Sequence, residues 1–201
     1  MSTNDAPIAA ALQNKLLAAL PEIEWRRVQQ YLSFVESPAG TTICHPGLPL
    51  EHAYFPTTSI ISVLHVGIDG AWTEIATIGN EGLLGIALFM GGAATAHRVV
   101  VQNKGRLYRL KREILQEEFS RGGVFQSLLL QYTLALIAQI AQTAVCNRRH
   151  SIEQQLCRWM LFSLDRLGSE ELTMTHESLA NTLGVRREGI TEAALHEADQ
   201  S

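Results

Sequence analysis

The sequence predicts an α+β protein in which an antiparallel β-roll is followed by a long helix and a helix-turn-helix. From residue 40 to about residue 110, short β-branched runs are separated by Gly, Pro and Asp, which is typical of an antiparallel roll or barrel. No residue between Arg121 and Arg148 is charged, which indicates a long apolar helix. The stretch from Thr173 to Leu195 places apolar and small residues at the offsets of two short helices around a tight turn.

Two short amphipathic helices are expected before the roll, over residues 8–20 and 22–34. Pro21 separates them, because proline is tolerated in the first turn of a helix and breaks an interior. Six runs predict the strands of the roll, and Asp69-Gly70 is its strongest hairpin signal. The runs are TTIC, AYF, IISVLHV, WTEIATI, HRVVVQ and RLYRL.

After the roll, helices are expected over residues 111–119, 125–146 and 151–167. The second of these is long and apolar enough to cross a membrane, for which about 20 residues suffice. On a helical wheel, however, Gln131, Gln139 and Gln142 form one narrow polar stripe. A helix that is apolar over more than half of its girth is typical of burial from two sides. We therefore favour a buried helix over a membrane span.

The helix-turn-helix pattern begins near His176. Leu179 and Leu183 face inward from the first helix, and Gly184 falls at the turn, where a positive φ costs glycine least. The second helix opens with side chains that suit base edges in a major groove, since arginine pairs with guanine and glutamate accepts from cytosine. The predicted DNA contacts are Arg186, Arg187, Glu188 and Thr191. An ordinary helical hairpin with solvated charges is the alternative.

Three segments resemble, in the same order, parts of the Crp/Fnr family of bacterial transcription regulators. They are PAGTTICHPGLPLEHAYFPTTSIISVL, IGNEGLLGIALFMGGAATAHRVVVQNKGRLYRL and GVRREGITEAA. The resemblance implies a β-roll sensor of cyclic-nucleotide-binding type over residues 1–121, a dimerisation helix over 122–147 and a DNA-binding domain over 148–201. It also implies a homodimer in which the long helix packs against its copy. We expect the seam to contain Phe125, Leu129, Leu136 and Ile140.

The resemblance also locates an effector pocket. In the cyclic-nucleotide-binding members, a glutamate binds the ribose and an arginine pairs with the phosphate. Here Gly85 matches the family's glycine, but Ile86 stands in place of the glutamate, and Thr95 and Ala96 stand in place of the arginine and its neighbour. A buried phosphate without a cationic partner is costly. The pocket is therefore expected to take an unknown small-molecule effector and no cyclic nucleotide, while Arg98 points to the opposite face of its strand.

Other site chemistry is sparse. The spacing Gly79-x-x-Gly82-x-x-Gly85 lacks the lysine and hydroxyl of a phosphate-binding loop, so we interpret these residues as turn glycines. The seven histidines show no metal-ligand spacing, and no catalytic motif stands out, so we expect no metal, no cofactor and no enzyme activity. A cupin-like enzyme is a remote alternative. Three cysteines without a C-x-x-C pair, and the lack of a secretion signal, favour the reducing cytoplasm.

Two features of the sequence argue against strong DNA binding. Residues 148–201 contain six arginines and nine acids, a balance of minus three, although neutralising phosphates requires positive charge. The sequence also ends at LHEADQS, before the hairpin wing that the family carries after its recognition helix. We expect a regulator that binds a palindromic operator, weakly, with a shortened DNA-binding domain. The alternative is a dimeric sensor or interaction module that has lost independent DNA binding.

Overall fold

The structure is a computed structural model that describes residues 5–67, 72–92 and 94–167, together with residue 179. Apart from residue 179, the helix-turn-helix stretch lies outside the described residues, and so do the hairpin residues Asp69 and Gly70. The described part confirms the α+β class, because an antiparallel β-roll stands between short N-terminal helices and long C-terminal ones.

Short helices occupy the chain before the roll, at α1 (Asp5–Ala11), α2 (Lys15–Ala18) and α3 (Glu22–Gln29). The helix predicted over residues 8–20 is therefore interrupted, and the helix predicted over residues 22–34 ends early. In the second case the reason is a strand that the sequence analysis missed. Residues 33–37 pair with a later strand, so that the rings of Phe34 and Tyr108 meet edge to face with their centroids 5.7 Å apart.

Asn14 accounts for the interruption of the first helix. Its side-chain oxygen accepts hydrogen bonds from the backbone N–H groups of Leu16 and Leu17, both at 3.2 Å, which is the arrangement of a helix N-cap. Its side-chain amide donates to the carbonyls of Pro56 and Gly82, at 2.9 and 2.8 Å. All four bonds are buried, so the start of α2 is tied to the roll by contacts with distant residues.

Within the described residues, the roll consists of two antiparallel sheets, with the strand orders β1-β7-β3 and β2-β6-β4-β5. The six predicted runs are all confirmed as strands, and β1 is the additional one. The strands are β1 (Ser33–Ser37), β2 (Thr42–Cys44), β3 (His52–Pro56), β4 (Ile60–Val66), β5 (Trp72–Ile78), β6 (Arg98–Asn103) and β7 (Gly105–Lys111).

The predicted helices after the roll are confirmed to within three residues at each end. A short helix, α4 (Ile86–Phe89), lies between β5 and β6, and the later helices are α5 (Arg112–Ser120), α6 (Gly123–Arg149) and α7 (Ile152–Leu167). The core lies between the two sheets and the helices that close the roll, with Phe55, Leu107, Leu115 and Phe125 among its fully buried side chains.

Gly79 and Gly82 allow both long helices to approach the roll. A Cβ on Gly82 would overlap the ring of Tyr132 in α6. A Cβ on Gly79 would lie 2.6 Å from the Cβ of Arg166 in α7. These two glycines are needed for close contact between elements.

Candidate functional site

The residues predicted to form the effector pocket lie in two segments, at the start of α4 and in the loop before β6. Gly85 precedes α4 with a φ of 121°, a conformation that favours glycine. Ile86, the first residue of α4, is half-buried and packs against the core. Thr95 and Ala96 lie in the loop before β6, where the Thr95 hydroxyl accepts a hydrogen bond from the N–H of His97 at 3.2 Å. The positions that match the family's charged ligands thus carry uncharged side chains.

The Arg98 side chain is engaged away from that pocket. Its guanidinium carbon lies 3.7 Å from the centroid of the Trp72 ring, and its Nη2 donates to the hydroxyl of Thr42 at 3.1 Å. Val99, the next residue of β6, is 1% exposed and belongs to the core. Because successive side chains of a strand alternate between faces, Arg98 points away from that core, as expected.

The residues expected at the dimer seam lie mostly in the core of the protomer. Phe125, Leu129 and Leu136 are between 0% and 6% exposed and pack with the roll. Ile140 is half-buried at the edge of the same core. A side chain that its own roll covers presents little surface to a second subunit, so the burial of Phe125, Leu129 and Leu136 does not favour a seam through them.

The opposite side of α6 carries an exposed apolar stripe. Leu130, Leu134, Ile137 and Val145 are 49%, 70%, 54% and 50% exposed. In the described part of the chain, α6 is also the helix that is long and apolar enough to cross a membrane by length and composition. Its other side, however, is packed against the roll.

The predicted glutamine stripe of α6 faces α7. Gln131, Gln139 and Gln142 line an open cavity of about 710 Å³ between the two helices, together with Arg158 and Phe162 of α7. The stripe therefore faces an open groove within the protomer. Polar side chains are expected on such a surface.

Polar contacts fasten α7 to the rest of the chain. The Nε of Arg166 donates to Glu81 at 2.7 Å, and the side chain of Arg166 is only 9% exposed. The Nη2 of Arg158 donates to the hydroxyl of Thr143 in α6 at 3.2 Å. These contacts join α7 to the roll through Glu81 and to α6 through Thr143.

The sequence analysis did not identify Glu74, a buried acid of β5. This residue is 8% exposed and lies beneath α7, where it lines a small cavity with Trp159. In the run WTEIATI, an acid is typical of the solvent-facing side of a strand. Nothing local marks it as buried, because the helix that covers it is about 80 residues further along the chain. Across the described residues, no cluster of three or more His, Cys, Asp or Glu side chains could hold a metal ion.

Comparison with known families and structures agrees with this architecture. Residues 34–121 match the cyclic nucleotide-binding domain family. The chain matches no curated relative by sequence.

Solved structures share the fold over most of the chain. A transcriptional regulator of the Crp/Fnr family from Eubacterium rectale is 14% identical, with a TM-score of 0.73 over 94% of this chain and 88% of that one. FixK2 from Bradyrhizobium japonicum is 15% identical, with a TM-score of 0.72 over 84% and 85%. The c-di-GMP responsive global regulator CLP from Xanthomonas campestris is 16% identical, with a TM-score of 0.66 over 90% and 93%. The resemblance to the Crp/Fnr family is thus confirmed for the fold.

Proposed function

We propose that this protein is a DNA-binding transcription regulator, because residues 34–121 match the cyclic nucleotide-binding domain family and the chain has the fold of Crp/Fnr-family regulators. The observation that carries this proposal is that the similarity extends beyond the roll, through α6 and α7, to most of the regulator from Eubacterium rectale. A roll alone would support only ligand binding. We assign the protein to the cytoplasm and propose no catalytic activity.

The regulator is a homodimer whose seam is the exposed stripe of α6. Leu130, Leu134 and Ile137 recur at intervals of four and three residues, which is the spacing of a coiled-coil seam. Two copies related by a two-fold axis bury this stripe against itself. The core-facing residues Phe125, Leu129 and Leu136 support the seam from within each protomer.

The effector site is assigned to Gly85 and Ile86 at the start of α4 and to Thr95 and Ala96 in the loop before β6. The effector is a small molecule other than a cyclic nucleotide, because these positions offer no cation to a phosphate and no carboxylate to a ribose hydroxyl.

DNA recognition is assigned to Arg186, Arg187, Glu188 and Thr191. This assignment is tested by selecting, from random DNA duplexes at low salt, those that the wild type binds and those that Arg187→Ala binds. A palindromic motif that the wild type enriches and Arg187→Ala loses supports the proposal. Arg26→Ala is the matched control, because Arg26 is an exposed arginine of α3 that pairs only with Glu22 in the described structure. It should leave the motif unchanged.

The alternative is a dimeric sensor module without DNA binding of its own. The acidic balance of residues 148–201 favours it, because DNA affinity depends on neutralised phosphates. The absence of any enriched motif in the same selection, with a dimer still present, would decide for this alternative.

A further inference from the structure

The Glu74 carboxyl is buried on the face of β5 that α7 covers. Its Oε1 accepts a hydrogen bond from the Thr77 hydroxyl at 2.7 Å, while its Oε2 has no hydrogen-bond partner among the described residues. The Ser62 hydroxyl also faces the carboxyl but donates its only hydrogen to Gln102 at 2.9 Å. A protonated Glu74 could donate to the free lone pairs of Ser62, whereas an ionised one cannot.

The side of α7 that faces this carboxyl also carries buried polar atoms without hydrogen-bond partners in the ranges that the structure describes. Trp159 is 7% exposed and Ser163 is 0% exposed, one turn apart on the same side of the helix. Within the part of the chain described, neither the indole Nε1 of Trp159 nor the hydroxyl of Ser163 has a hydrogen-bond partner. Unsatisfied buried polar atoms weaken an interface. This contact therefore stabilises the docking of α7 on the sheet less than a contact with fully paired polar atoms would.

The charges around Glu74 do not neutralise it directly. Arg158 of α7 lines the same cavity, but its Nη2 is bonded to Thr143. Arg166, also on α7, is paired with Glu81. From α6 the cavity is lined by uncharged side chains, namely Gln139, Thr143 and Asn147, and from β5 by Ala76 and Thr77.

The cavity beside Glu74 is too small for an organic effector. Its volume is about 30 Å³, and one water needs roughly 10–15 Å³ by the same measure. The space suits one or two waters, so the ligand that this site can exchange is a proton. Burial raises the pKa of Glu74 to about 7, against the opposing effects of the polar groups beside the carboxyl, of which Thr77 donates a hydrogen bond, and of the Arg166 charge.

We propose that Glu74 makes the docking of α7 on the roll proton-dependent, so that α7 is held when Glu74 is protonated and loosened when Glu74 ionises. When α7 lifts, the carboxyl regains water and its pKa returns toward 4.5. The docked state therefore binds the proton more tightly. The proton therefore stabilises the docked state fully below about pH 4.5, and this stabilisation is lost as the pH rises to about 7. Over that range the docking equilibrium constant falls by at most tenfold per pH unit.

An effect of this docking on DNA binding would rest on the proposed function, while the docking of α7 itself does not. The experiment therefore reads α7 itself. A variant with Trp25→Phe and Trp72→Phe leaves Trp159 as the only tryptophan of the chain. Its fluorescence is followed from pH 5 to pH 9, with Glu74→Gln added as the neutral mimic and Glu36→Gln as the control at an exposed acid of β1.

We expect the emission of Trp159 to shift to longer wavelength as the pH rises, with a midpoint near 7. The shift should be absent with Glu74→Gln and unchanged with Glu36→Gln. Hydrogen exchange of the α7 amides in the unaltered protein gives an independent readout, in which protection falls between pH 6 and pH 8 after correction for intrinsic rates. A flat profile in both measurements, or an identical shift with Glu74→Gln, would overturn the proposal.

Discussion

Glu24 of α3 accepts a hydrogen bond at 2.7 Å from the backbone N–H of Phe125, a residue 101 positions away in the first turn of α6. Its other carboxylate oxygen accepts from the N–H of Val124 at 3.1 Å. Gly122, the N-cap position of α6, has no side chain to make such bonds. Glu24 therefore caps α6 from another helix and also complements the positive end of its dipole.

Replacement of this cap should destabilise the protein. We expect Glu24→Ala to lower the free energy of unfolding by about 1–2 kcal/mol, because the first N–H groups of α6 lose their acceptors. Glu22→Ala is the matched control, since the exposed pair of Glu22 with Arg26 should contribute well under about 1 kcal/mol. Urea denaturation of both variants measures the difference, and equal losses would contradict the capping role.

Gly82→Ala should displace α6 from the roll. Its added Cβ overlaps the ring of Tyr132, and overpacking of a core costs about 1–3 kcal/mol. Tyr132→Leu in the same chain should relieve the overlap, so the double variant should lose less stability than the sum of the two single variants. Thermal unfolding of the three variants gives the coupling, and strict additivity would show that the two residues do not interact.

The pair formed by Arg166 and Glu81 should hold the C-terminal end of α7. A double-mutant cycle with Arg166→Met and Glu81→Gln should give a coupling energy of about 1 kcal/mol, because Glu81 is part-exposed and screened. Since the pair is an ion pair, the coupling should fall as the salt concentration rises. A coupling energy near zero at low salt would mean that the contact does not hold α7.

The seam proposed on α6 can be tested by placing one charged side chain in the exposed apolar stripe. Ile137→Glu places an unpaired carboxylate in a buried dimer interface and should shift the protein to monomer. Ile23→Glu is the control, because Ile23 is an isoleucine of α3 that is 74% exposed. Sedimentation at micromolar concentration distinguishes the two. A dimer that tolerates Ile137→Glu would place the seam elsewhere.

Neither cyclic AMP nor cyclic GMP should bind at micromolar concentration. Ile86 and Thr95 offer no charged partner to the ribose hydroxyl or the phosphate, and Arg98 is occupied by Trp72 and Thr42. Titration calorimetry with both nucleotides should give no saturable heat. A micromolar affinity would mean that other residues bind the phosphate.

The strands and the long helices could be predicted because their signals are local. The β-branched runs and the charge-free segment each determine an element without reference to the rest of the chain. The break at Asn14 could not be predicted, because it depends on the distant carbonyls of Pro56 and Gly82. β1 was missed for a similar reason, since Ser33–Ser37 is a strand only through its pairing with β7.

The candidate site was less predictable than the fold. The helical wheel of α6 identified two apolar sides but could not say which one faces its own roll, and so the expected seam took in Phe125 and Leu129, which the roll buries, and left out the exposed Leu130 and Ile137. Glu74 gave no signal at all, because its burial comes from Trp159 in a helix that is remote in sequence.

The contact between Gly82 and Tyr132 has a mechanical consequence for α6. From Tyr132 to the end of the helix at Arg149 there are 17 residues, which at 1.5 Å per residue make a rigid arm of about 26 Å. If the helix tilts about this contact, each 5° of rotation carries Arg149 through about 2 Å. Because Gly82 has no side chain, the Tyr132 ring can lie directly against its backbone. The closeness of this contact therefore determines where the C-terminal end of α6, at Arg149, lies.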